Sequence, residues 1–279
     1  ICDGELYSCG AGENGRLSLG SEDNYSIFTK CKINTNKETK FKIVKLGSTH
    51  QVALCELNYL WSVGKKEYHG NNKYKMPIKN KDSNKFTKIE MLADIKFIQI
   101  CVGFGGYHTI ALSANGNVYT WGHNRVGQLG LGHNKLIVSK PQLVKSLLNI
   151  PIKYISAGWG HSAVIDINGN LYRCGRNSSG QLGITKELCQ INSLGQYFIS
   201  IFKKLENFKV KFVKCGYDQT HFYTIDGDMY CFGNNDFYKL GCDIRTNNYS
   251  LFEPVKVNSY NNLKDIIHNN TFTIILNEI

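Results

Sequence analysis

Five times the chain spells one phrase, an apolar strand carrying an aromatic residue and closed by glycine. The copies are Leu6-Tyr7-Ser8-Cys9-Gly10, Leu60-Trp61-Ser62-Val63-Gly64, Val118-Tyr119-Thr120-Trp121-Gly122, Leu171-Tyr172-Arg173-Cys174-Gly175 and Met229-Tyr230-Cys231-Phe232-Gly233. Successive closing glycines lie 54, 58, 53 and 58 residues apart. A period in the fifties built from strands rather than helices predicts a radial array of small sheets, a β-propeller. Most of what recurs in such an array is scaffold, so function belongs where the copies differ.

The clearest unit runs from Tyr154 to Gly183. Lys153 to Ala157 reads as a strand, Ser162 to Ile167 as a second, and Leu171 to Cys174 as the return. Asn168-Gly169 supplies the turn between the last two, where both positions tolerate the positive φ of a two-residue type I′ hairpin. The same turn recurs as Asp3-Gly4, Asn115-Gly116 and Asp226-Gly227, and has decayed to Leu57-Asn58 in the second copy. After the closing glycine comes a loop, best formed in Gly122 to Gly130 and Gly175 to Gly183, ending Gly-Gln-Leu-Gly. Its leucine is expected to plug the core. A phosphate-binding reading of these glycines fails, because no Gly-Lys-Ser/Thr sequence and no strand–GxGxxG–helix context accompanies them. With a short element such as Lys140 to Val144 added, each unit holds about four strands. The fold class is all-β, a propeller of four-stranded blades with five repeats present.

The 42% of hydrophobic residues in 279 supply ample core, and no long amphipathic helix is visible. A net charge of +11 suits nucleic acid, an acidic protein surface or anionic lipid, or reflects Lys- and Asn-rich loops alone. No apolar run is long enough to span a bilayer. The opening Ile1-Cys2-Asp3-Gly4-Glu5 has neither a basic segment nor a signal core, and the start at Ile1 points to a piece of a longer chain. Ten cysteines include no Cys-x-x-Cys pair. Placed by strand register, as Cys9, Cys174, Cys101 and Cys215 are, they read as buried free thiols in a reducing compartment, nucleus or cytosol. No metal site, cofactor fingerprint or nucleophile elbow is present, so no covalent catalysis is expected.

The residues Gly105-Gly106-Tyr107-His108-Thr109-Ile110-Ala111-Leu112 through Gly130, and Ala157-Gly158-Trp159-Gly160-His161-Ser162-Ala163-Val164 through Gly183, resemble the repeat of the regulator of chromosome condensation family. The resemblance covers essentially the whole chain, with the second and fifth copies degenerate. It implies a β-propeller, typically of seven blades. The chain opens on the second half of a hairpin and closes on the first half, Phe272 to Leu276, with Ile279 in the register of Gly4. Either the two ends pair and close a five-bladed ring, or the segment is part of a seven-bladed parent; the second is expected, as a single domain over residues 1–279.

The resemblance also implies guanine-nucleotide exchange on a Ran-type small GTPase, together with chromatin docking. Exchange of that kind is differential binding of the nucleotide-free state. The positions matching the family's contact loops are Thr49, Tyr107, Gly160 and Asp218, followed by His50, His108, His161 and Gln219. Asp218 is the one carboxylate among them. It is either a partner contact or a turn cap that bonds backbone amides. The three histidines, one per blade, read as scaffold rather than as a metal ring. In the second copy a basic segment replaces the Gly-Gln-Leu-Gly loop, with Lys65, Lys66, Lys73, Lys75, Lys79 and Lys81 interleaved with Tyr68, His69 and Tyr74. Such a loop grips phosphates and stacks bases, meets an acidic protein, or is a solvated insertion. A second insertion, Ile184 to Asn207, carries the apolar stretch Tyr197 to Phe202, read as a docking element, an edge strand or a short helix. Three functions stay open: exchange factor, non-catalytic scaffold for protein partners, and chromatin or nucleic-acid adaptor.

Overall fold

The computed structural model describes all residues except 36, 37, 69, 71–82, 104, 243–248, 258–262, 269, 270, 278 and 279. A half-blade opens the chain, β1 (Tyr7–Gly10) paired antiparallel with β2 (Tyr25–Lys30). Three blades follow in which four strands pair in chain order or its reverse. They are β3 (Phe41–Leu46), β4 (His50–Cys55), β5 (Leu60–Gly64) and β6 (Ser83–Lys88), then β7 (Phe97–Val102), β8 (His108–Ser113), β9 (Val118–His123) and β10 (Ile137–Leu143), and third β11 (Ile152–Ala157), β12 (His161–Asp166) and β13 (Leu171–Arg176) with β15 below. The third blade carries an added edge, β14 (Gln190–Ile191), outside β15 (Tyr197–Lys204). A fourth blade, β16 (Val210–Cys215), β17 (Gln219–Thr224), β18 (Met229–Asn234) and β19 (Ser250–Lys256), precedes a closing half-blade of β20 (Leu263–His268) and β21 (Thr273–Asn277).

Four complete blades and two halves therefore stand where the sequence shows five repeats. Among the described residues β1 pairs only with β2 and β21 only with β20, so the two halves are separate sheets and the hydrogen-bonded closure of a five-bladed ring is not made here. Ile279, which carries the end-to-end register, lies outside the described residues.

The core lies between blades rather than within one. Val52, Leu54 and Leu60 of the first full blade pack on Phe97, Ile100 and Trp121 of the next. Ile110, Leu112 and Val118 of that blade meet Ile155, Val164 and Phe202. Ala163, Ile165 and Leu171 meet Val213, Phe222 and Phe232. A strand covered on both faces loses the in–out alternation of a half-exposed sheet, and β8, β12 and β17 are buried at every residue. The first strands β3, β7, β11, β16 and β20 all line one central cavity of about 490 Å³. Lys45, Cys101, Tyr154 and Lys214 face that cavity, with Lys214 paired to Asp265 at 2.9 Å.

The hairpin turns differ from expectation in type. At Asn168-Gly169 only the glycine has positive φ (+79°). Gly169 N donates to Asp166 O and Asp166 N to Asn170 O, a three-residue loop with glycine in the left-handed slot. The same bonds recur about Gly116 and Gly227. In the decayed copy Asn58 takes that slot at φ +66°, as asparagine tolerates. Only Asp3 and Gly4 both take positive φ, and there Cys2 and Glu5 exchange both backbone bonds as a two-residue turn. An Asn-Gly pair serves either loop, and the strand register selects between them.

Candidate functional site

Each loop from a blade's first strand to its second emerges at the same end of the molecule. Those of the four full blades hold Gly47-Ser48-Thr49, Gly103 with Gly105-Gly106-Tyr107, Gly158-Trp159-Gly160 and Gly216-Tyr217-Asp218. They abut blade to blade. A Cβ on Gly103 would lie 2.1 Å from Gly158 O, and one on Gly158 2.4 Å from Gly216 O. Glycine is required because backbone passes against backbone.

The histidine that follows each of the first three loops locks the next blade. His50 Nε2 lies 2.9 Å from Thr109 Oγ1, His108 Nε2 3.0 Å from Ser162 Oγ, and His161 Nε2 2.9 Å from Thr220 Oγ1. The Ser162 and Thr220 hydroxyls donate to the carbonyls of Gln128 and Gln181. A hydroxyl has one proton, so each must accept from the imidazole, which fixes the neutral Nε2–H tautomer of His108 and His161. All three rings are fully buried, so these side chains sit inside the blade junctions and not on the loop surface. Among the described residues no three His, Cys, Asp or Glu are gathered as metal ligands. In the fourth loop Gln219 occupies the histidine's place, with its Oε1 accepting from Asp218 N at 3.1 Å.

Burial lowers the pKa of His108 and His161 to about 3 and that of His221 to about 4. An unfolded histidine takes up its proton near pH 6.5. Their stabilisation is therefore complete above that pH and is lost progressively as pH falls toward 4 and then 3. The expected slope is about 1.4 kcal/mol per pH unit for each histidine. Urea unfolding from pH 7.5 to 4.5 measures it. His161→Gln, which copies the residue at Gln219, should shallow the slope by about one proton; an unchanged slope would show that His161 is not one of the groups responsible.

Asp218 is tied across a blade junction. Its Oδ1 accepts from Gln181 Nε2 at 2.8 Å and from Arg176 Nη1 at 3.4 Å, both in the preceding blade, rather than from backbone amides. Burial raises its pKa, against the opposing charges of Arg176 and Lys239. Arg176 also lies over Trp159, 5.1 Å from the ring centroid, and Trp159 stacks on Tyr217 at 5.2 Å and 23°. Further along the same face Tyr107 packs against Tyr68 at 5.4 Å. Tyr68, Tyr107, Trp159 and Tyr217 are all partly exposed. The sequence reading singled out Tyr107 and Tyr68 but not Trp159 and Tyr217, although an aromatic residue stands directly after glycine in three loops.

Lys65 lies 5.8 Å over the Tyr68 ring, at the edge of this face. Lys66 is partly exposed beside it, whereas Lys73, Lys75, Lys79 and Lys81 lie outside the described residues. The second insertion divides in two. Tyr197 to Phe202 is the outer strand of its own blade, with Phe198, Ile199 and Phe202 buried, so the docking and helix alternatives for that stretch fall away. The true excursion is Ile184 to Gln196, a 3-10 turn at Lys186–Leu188 and a small hairpin. Asn124, Asn177 and Asn235 were also missed. Each accepts the backbone N–H of the loop leucine five residues on, at 3.0–3.1 Å, which seats Leu129, Leu182 and Leu240 in the core.

Fold and loops together define a β-propeller with a common face of inter-strand loops. The regulator of chromosome condensation (RCC1) repeat matches residues 3–54 and 115–165, and a second description of that repeat matches 98–128 and 152–181. The chain belongs to this repeat family. It is 38% identical over 153 residues, 55% of its length and 14% of the relative's, to the probable E3 ubiquitin-protein ligase HERC4 of Mus musculus. It is 34% identical to the probable E3 ubiquitin-protein ligase HERC6 of Homo sapiens, over 85% of this chain and 22% of that protein. It is 30% identical to the ultraviolet-B receptor UVR8 of Arabidopsis thaliana, over 86% of this chain and 51% of that protein. The chain thus spans between a seventh and about half of these relatives. In structure it is similar to yeast RCC1 (Prp20) bound to Kap60, with TM-score 0.74 at 21% identity over 92% of this chain and 57% of that one. Human WBSCR16 gives 0.73 at 19%, over 90% of this chain and 60% of that one. No helix among the described residues is long and apolar enough to cross a membrane.

Proposed function

We propose that this chain is a protein-recognition propeller whose working face is the loop surface carrying Tyr107, Trp159, Tyr217, Arg176 and Asp218. The observation that carries this is the partly exposed aromatic row on the inter-strand loops of successive blades, with an arginine over its tryptophan. Tryptophan, tyrosine and arginine are the side chains that dominate binding energy at protein interfaces. Ten cysteines with no disulfide among them support a reducing compartment, nucleus or cytosol. The ligase activity in the relatives' names belongs to proteins of which this chain matches 14–22%, and is not carried over.

The partner class to test first is a Ran-type small GTPase. A solved yeast relative, similar to this chain in fold, is described by its binding to Gsp1p and histones, and Asp218 gives this face a partly buried carboxylate. The experiment is release of fluorescent GDP from the GTPase with and without the folded protein. Acceleration is expected, cut about tenfold or more in Asp218→Ala, because a charged hydrogen-bonded group is worth about 1.5–3 kcal/mol. A GTPase bound equally in every nucleotide state would remove exchange and leave recognition. Salt-sensitive binding to DNA, lost when Lys65 and Lys66 become Glu, would favour the chromatin-adaptor reading instead.

A further inference from the structure

The excursion from Ile184 to Gln196 closes a pocket that no single blade forms. Leu194 and Gln196 at its tip meet Tyr107, Arg125, Val126 and Trp159 around a volume of about 200 Å³. Small-molecule sites are larger, roughly 300–1,000 Å³, and the space here matches one bulky side chain. The rim is preorganised. Asn192 Oδ1 accepts the backbone N–H groups of Leu194 and Gln196 at 3.0 and 3.1 Å, and its Nδ2 donates to Gln196 Oε1 at 2.9 Å. A rim already fixed before binding spares the partner the cost of ordering it.

The pocket's charge is one-sided. Burial and the neighbouring Arg125 lower the pKa of His123, which also lines the pocket, so that ring stays neutral. Arg125 is then the one charged group in the lining, and it is exposed. Among the described residues no carboxylate pairs with it. Leu194 in the rim is 59% exposed, and Leu188 and Ile191 of the same excursion are exposed apolar side chains as well. An aromatic-walled slot with an unpaired guanidinium at its mouth complements an apolar side chain flanked by carboxylates.

We infer that this pocket takes a bulky apolar side chain, best an aromatic one, from an acidic peptide segment of the partner, with Arg125 engaging the adjacent carboxylate. This rests on the recognition reading and names the chemistry that face selects.

The test uses the whole chain and a fluorescent peptide of Glu and Asp with one central Phe, followed by anisotropy. Binding is expected to weaken about tenfold or more in Arg125→Glu, in Leu194→Asp, and when the peptide's Phe is replaced by Ala. High salt should weaken it too, and Ile27→Asp, remote on β2, should leave it unchanged. Equal binding of a peptide with Lys in place of the acids, insensitivity to Arg125→Glu, or displacement of the peptide by oligothymidylate would each overturn the inference. A GTPase complex lost in Trp159→Ala yet intact in Arg125→Glu and Leu194→Asp would overturn the pocket and uphold the recognition face. The peptide pattern without any GTPase complex would uphold the pocket and remove the GTPase.

Discussion

Gly175→Ala is expected to remove a large part of this protein's stability. The residue has φ +111°, and an added Cβ would sit 2.5 Å from Gly160 O and 2.6 Å from His161 Cα. Both neighbours are backbone, so neither can swing aside. A strained φ costs about 1–3 kcal/mol, and forced overpacking about 1–3 kcal/mol more. That total is a large share of the roughly 5–15 kcal/mol that holds a domain folded. Gly195→Ala is the comparison, since φ is +71° there but no heavy atom lies within 4 Å of the new Cβ. It should cost only about 1 kcal/mol. Urea unfolding of the two variants decides the matter, and equal losses would mean that the close approach at Gly175 is not what demands glycine.

The second large effect is expected at Phe222, fully buried in β17. Its ring stacks on Tyr230 at 5.3 Å and 10°, meets Phe208 edge-on at 5.1 Å, and lies 5.9 Å from Phe232. Phe222→Ala should cost about 3–5 kcal/mol, the range for emptying a buried aromatic site. Ile27→Ala, 74% exposed on β2, should change stability by less than about 0.5 kcal/mol. Because the core is a series of interfaces between neighbouring blades, the Phe222 loss should be local. Hydrogen exchange is expected to accelerate first in β12 and β16–β18, which share that interface, while β4 and β5 keep their protection. Uniform acceleration across all blades would instead show one cooperative core.

The serial core also explains why so much of the fold was legible. A blade's second strand is covered on both faces, so Ser162-Ala163-Val164-Ile165 reads as an apolar run in any context. Each closing glycine has positive φ, from +106° at Gly10 to +113° at Gly233, and sits at or beside a register shift against its outer strand. No other residue takes that conformation cheaply, so the glycine period marked the blades. The turn type was less legible, because Asn168-Gly169 is compatible with two loop lengths and the pairing of Ile165 with Leu171 selects one. Tyr197 to Phe202 misled for a similar reason. An aromatic strand displaced by a long insertion looks like an excursion until the partner strand β13 is known.

The site was legible only in part. Asp218 stands out by its position, but its link to Gln181 and Arg176 crosses from one blade to the next, 37 and 42 residues away in sequence. Recurrence marks His108 and His161 as scaffold, yet their hydroxyl partners lie 54 and 59 residues on, one repeat further.

By itself, the sequence determined the repeat, the all-β class and the residues that must be glycine, because backbone conformation and strand burial are local demands written into each copy. The tertiary structure alone decided what the loops make together. The Trp159–Tyr217 stack, the Arg176–Asp218 pair and the pocket closed by Leu194 and Gln196 each join residues from separate blades or from an insertion, and only packing brings them within reach.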